Sequence, residues 1–94
     1  MRRQSPASMR RKIDALLDEI RVAQASVTPH PFLPAVEESL QAMKKNVRAR
    51  KSDREGMAGA LGRIVTDDYA FAESELGDHI FDVINEFAGW READ

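Results

Sequence analysis

The sequence predicts an all-α fold, a small helical bundle or a helical hairpin within one domain. Three observations lead there. Apolar residues recur at spacings of three and four in three separate stretches. No stretch alternates apolar and polar residues with the period of a strand. The chain has 94 residues, 43% hydrophobic and 32% charged, which suits a single small globular domain.

Residues 1–7 hold Pro6, Ser5, Gln4 and the pair Arg2–Arg3 without periodicity, so a disordered basic arm is expected there. Ser8 then suits a helix N-cap. Met9, Ile13, Leu16, Leu17, Ile20, Ala23 and Val27 form one stripe, with Arg10, Arg11, Asp14, Asp18 and Arg21 opposite. This is an amphipathic helix over about 8–27, wide enough on its apolar side to face a core. Pro29, Pro31 and Pro34 end it, because proline lacks the amide proton a helix needs and restricts the residue before it. Pro34 suits the first turn of the next helix, with Glu37 and Glu38 favoured near its positive end.

Val36, Leu40, Met43, Val47, Arg50, Arg54, Met57, Leu61 and Ile64 then repeat with alternating spacings of four and three. That is a heptad seam held for about four heptads. It predicts a long central helix, about 34–66, packed by the first helix at one end and by the last at the other. A break near 51 is the competing reading. Ser52–Asp53–Arg54–Glu55 fits a capping box, and the bases at 44–51 suit a helix C-terminus. Against a break, no Gly, Asn or Pro lies between 47 and 55, and a turn usually resets the phase. Arg50 and Arg54 fall in the seam; they either meet acids such as Glu75, Asp82 or Glu86 of another chain, sit where the seam is uncovered, or face water beside a break. Gly56, Gly59 and Gly62 weaken the second half of the helix and are read as allowing another backbone to approach. The spacing does not match a phosphate loop, which needs a preceding strand and a different glycine order.

Residues 67–73 read as a connector carrying Tyr69 and Phe71, with Thr66–Asp67–Asp68 as a helix end or a new cap. Leu76, Ile80, Val83, Ile84, Phe87 and Trp90 form the stripe of a last helix, about 73–90, opened by Glu73 or Ser74.

Charge is unevenly distributed. The formal net charge is −2, yet residues 1–54 carry 12 bases and 6 acids while residues 55–94 carry 2 bases and 10 acids. There are no cysteines, which excludes disulfides, thiolate chemistry and Cys-ligated zinc. No apolar run follows the basic start and none approaches the ~20 residues of a membrane span, so a cytoplasmic protein with no membrane contact is expected.

The candidate sites are weak individually. Glu75, Asp78, His79, Asp82 and Glu86 share the face of the last helix opposite its apolar stripe. Glu75, Asp78, Asp82 and Glu86 are the expected partner-binding residues, suited to a basic protein surface. Glu75, His79 and Asp82 would also suit a divalent metal if a second helix supplied ligands. Lys44, Lys45, Arg48, Arg50, Lys51 and Arg54 form a basic band for a nucleic-acid backbone, although no aromatic is interleaved to stack on bases. His30, between two prolines, reads as an exposed loop residue. No spacing marks a nucleophile, no cofactor is implied, and a catalytic activity is not expected. The expected function is that of a helical adaptor, inhibitor or accessory subunit, with a nucleic-acid-associated regulator as the alternative and a metal-dependent enzyme behind both. A continuous central helix would leave a thin two-helix layer at each end, which predicts a homodimer; a broken one would close as a compact four-helix bundle.

Overall fold

The computed structural model describes residues 5–89. It is all-helical: α1 (Pro6–Gln24), α2 (Leu33–Lys45), α3 (Lys51–Thr66), the one-turn α4 (Tyr69–Ala72) and α5 (Glu75–Gly89). The expected arm is covered only from Ser5; residues 1–4, and Trp90 of the last apolar stripe, lie outside the described residues.

The first helix starts earlier than its Ser8 cap implied. Ser5 is the N-cap, its Oγ accepting from the Ser8 amide at 3.0 Å, and Pro6 fills the first turn. Met9, Ile13, Leu16, Leu17 and Ile20 are buried as the stripe requires. Val27 is not part of it: the helix ends at Gln24, and Val27 is fully exposed in the link that follows.

The long central helix is not formed. α2 stops at Lys45, and residues 46–50 make a turn before α3. The stop signal is Asn46, one residue before the stretch lacking helix breakers. Its amide nitrogen Nδ2 donates to the Ala42 carbonyl at 2.7 Å, satisfying an acceptor that a continuing helix would have used. Its backbone N–H bonds to Met43 O, and the Ala49 N–H closes the turn on Asn46 O, both at 3.0 Å. Arg50 is extended and precedes α3 as its N-cap residue without a side-chain cap bond, so the expected capping box at Ser52 is not used. The heptad survived the break because Val47 remains fully buried within the turn. Beyond it the buried face of α3 is Arg54, Ala58, Leu61 and Val65, while Met57 and Ile64 flank it half-buried.

With the break, the four longer helices run up and down around one core. Arg21–Glu37 and Lys44–Asp14 pairs make α1 and α2 antiparallel. His79–Glu19 and Lys12–Glu86 do the same for α1 and α5, and Arg54 to the Phe87 carbonyl for α3 and α5. Each helix therefore packs on two neighbours, and the apolar stripes close within one chain around Phe87, Met9, Ile13, Leu40 and Leu61.

α4 and the start of α5 are set by two small caps. Asp68 Oδ1 accepts from the Phe71 amide at 3.2 Å. Ser74 Oγ accepts from the Gly77 amide at 3.0 Å and donates to Phe71 O. The glycines flagged in the sequence are not close approaches: a Cβ on Gly56, Gly59 or Gly62 would meet nothing within 4 Å. Gly77 is the tight one, where a Cβ would stand 2.4 Å from Phe71 O and 2.6 Å from Ala72 O.

Candidate functional site

Folding turns the imbalance along the chain into an imbalance between two ends of the bundle. α1 and α3 start, and α2 and α5 finish, at one end; it carries Arg10, Arg11, Lys44, Lys45, Arg48, Arg50 and Lys51. The opposite end carries Asp18, Glu19, Glu37, Glu38, Asp67, Glu73, Glu75 and Asp78 against Arg21 and Arg63. α1 links them with 19 residues, about 28 Å of helix. That is more than three times the ~8 Å screening length at physiological ionic strength, so the ends do not neutralise one another through solvent.

The four carboxylates expected to meet a partner separate into two groups. Glu86 Oε2 binds Lys12 Nζ at 2.5 Å and ties α5 to α1. Glu75, Asp78 and Asp82 are exposed, and their carboxylates make no hydrogen bond or ion pair among the described residues. His79, on the same helix, faces α1: its Nδ1 lies 2.7 Å from Glu19 Oε1. That hydrogen bond, then the charge of Glu19, then the charges of Glu75 and Asp82, raise the imidazole above its ordinary value of 6.5. Among the described residues no group of three or more acidic or histidine side chains is placed to hold a metal ion.

The basic band is also divided. Lys44 Nζ sits 2.7 Å from Asp14, Arg50 pairs with Asp53 at 3.5 Å, and Lys51 approaches Glu55 at 3.9 Å. Lys45 and Arg48 are exposed. Arg54 leaves the surface altogether: it is 6% exposed, its Nη1 donating to Phe87 O at 2.8 Å and its Nε to Ala49 O at 3.1 Å. It meets the negative end of α5 and the turn between α2 and α3 simultaneously. The seam arginines therefore have different fates, Arg50 facing water and Arg54 serving as an internal clamp.

His30 is not the exposed loop residue the prolines suggested. Its ring stacks on Phe71 with centroids 4.4 Å apart and meets the edge of Phe32 at 4.7 Å. Nδ1 accepts from the Phe32 amide at 3.1 Å, so Nε2 carries the proton it gives to Asp68 Oδ2 at 2.8 Å. This bond, followed by that from the Phe71 amide, holds the Asp68 carboxyl below its ordinary 3.8. Both ring nitrogens are occupied, and the arrangement latches the α1–α2 link onto the α3–α4 connector.

The acidic end has a second property that the sequence stripes did not reveal. A groove of about 640 Å³ lies between the last turns of α1 and the start of α5, lined by Asp18, Glu19, Val22, Ala23, Ser74, Glu75 and Leu76. Its lining is mainly apolar, and Val22 in it is 75% exposed. The large hydrophobic residues exposed among those described are Val22, Val27 and Tyr69, and all three lie at this end. The available signal was Val22, an apolar residue off the core stripe of α1. No known family model, curated protein or solved structure matches the chain.

Proposed function

We propose that the protein is an interaction module whose acidic end binds a basic surface of another protein. One observation carries the reading: unpaired carboxylates and exposed apolar side chains share one end of the bundle. Protein interfaces combine an apolar centre with a polar rim, and complementary charge speeds encounter and sets orientation. Glu75 and Asp78 at that end, with Asp82 midway along α5, are the residues assigned to the partner. Glu86 belongs to the fold through Lys12 and is removed from that set.

Affinity capture from the lysate of the native source tests this. The variant Glu75→Lys/Asp78→Lys/Asp82→Lys is expected to lose a specific partner that the wild-type chain retains, with a nearly unchanged Tm, since none of the three is buried. Identical capture by both proteins would reject the reading.

A nucleic-acid role is the second reading. Its support is that Arg10 and Arg11 share an end with Lys45, Arg48 and Arg50. It requires retardation of mixed DNA or RNA at ~50 mM salt that falls steeply as salt is raised. Self-association is not required to bury the apolar stripes of the described residues, which pack into one core within the chain.

A further inference from the structure

We infer that the groove between α1 and α5 seats the apolar side of a basic amphipathic helix from the partner, as the binding site of the acidic end; the inference rests on the function proposed above. The floor is Val22, Ala23 and Leu76, and the rim is Asp18, Glu19 and Glu75. An apolar floor with an acidic rim selects a segment whose leucine-like residues are flanked by lysine or arginine. A groove of about 640 Å³ between two helix ends, open to solvent, suits one or two helical turns better than an enclosed small molecule.

The rim charges are not equivalent. Asp18 lies 3.4 Å from Arg21, itself shared with Glu37, and Glu19 holds His79. Glu75 makes no such pair and is the carboxylate available to a partner cation. A second copy of the chain is a poor occupant. Its basic end has the right charge but exposes no large hydrophobic side chain among the described residues, because Met43 and Val47 there are fully buried. An anionic membrane or a nucleic acid is repelled by the same carboxylates.

The probe is a labelled 14-residue Leu/Lys peptide with helical spacing, with its Leu/Glu counterpart as control, followed by fluorescence anisotropy against the full chain. The Leu/Lys peptide is expected to bind and the Leu/Glu peptide not. Val22→Ser, which removes an exposed methyl pair without touching the core, is expected to weaken binding roughly five- to tenfold. Glu75→Lys is expected to weaken it further and to reduce its salt dependence, whereas Val27→Ser, outside the groove, is expected to have no effect. Absence of Leu/Lys binding, or equal binding by the Val22→Ser protein, would overturn the groove assignment. The lysate capture lost on charge reversal is a separate readout, so the acidic-end function can stand where the groove fails.

Discussion

At the basic end of the bundle the chain is closed from within; at the acidic end it is left open. The turn 46–50 is tied by the Asn46 side chain, plugged by Val47 and clamped by Arg54, whose guanidinium reaches the last turn of α5. Its remaining cations stand over a surface where, among the described residues, no large hydrophobic side chain is exposed. The acidic end is joined by a proline-rich link, a one-turn helix and the His30–Asp68 latch; it exposes Val22 in an apolar groove and Val27 and Tyr69 outside it. Charge alone therefore does not distinguish the ends as binding surfaces. What distinguishes them is whether the charge borders apolar area still accessible to a partner.

The contrast can be broken most severely at the closed end. Arg54→Ala leaves the Phe87 and Ala49 carbonyls without their donor and opens a hole beside the core. It should cost about 2–4 kcal/mol, lowering Tm by roughly 10 °C or more in thermal melts. Arg54→Lys should recover only part of this, because one ammonium cannot reproduce the guanidinium fork. A loss below about 0.5 kcal/mol would mean that the closure does not depend on the clamp.

At the open end, Gly77→Ala drives a methyl into the Phe71 and Ala72 carbonyls. A loss of about 2–3 kcal/mol is expected by denaturant titration. The opposite sign is expected for Gly59→Ala, where the added Cβ meets open space within α3: a gain of about 0.8–1 kcal/mol from helix propensity.

The smallest effect is that of pH on the His79–Glu19 pair. The folded imidazole titrates above its ordinary 6.5, so folding favours the charged ring. Its stabilisation is fully present below pH 6.5 and is lost as pH rises through the raised folded value. Melts across this range should show a small decline in the wild type that His79→Ala removes. Solvent exposure at both partners keeps it small.

The helical class and most of the core were legible because apolar spacing reports burial directly. Met9 through Ile20, Leu40, Met43 and Ile80 through Phe87 stand where the stripes put them. The break was obscured by Val47: a turn that buries this valine preserves the heptad phase, so periodicity could not reveal it. Asn46 was the local clue, acting through a side-chain bond that composition does not display. Within the candidate site, the exposed acids of α5 were legible as a face, but not the pairing that sets Glu86 apart from Asp78 and Asp82. That pairing depends on which side of α5 meets α1. His30 was misread for the same reason, since its partners Asp68 and Phe71 lie some forty residues away along the chain.

The decisive measurement reverses each end in turn and follows one captured partner. The acidic-end protein carries Glu75→Lys, Asp78→Lys and Asp82→Lys; the basic-end protein carries Arg11→Glu, Lys45→Glu and Arg50→Glu. With both folded by circular dichroism, the acidic-end protein should lose the partner and the basic-end protein should keep it. Loss on reversal of the basic end, with retention on reversal of the acidic end, would contradict the assignment of the open end as the interaction surface.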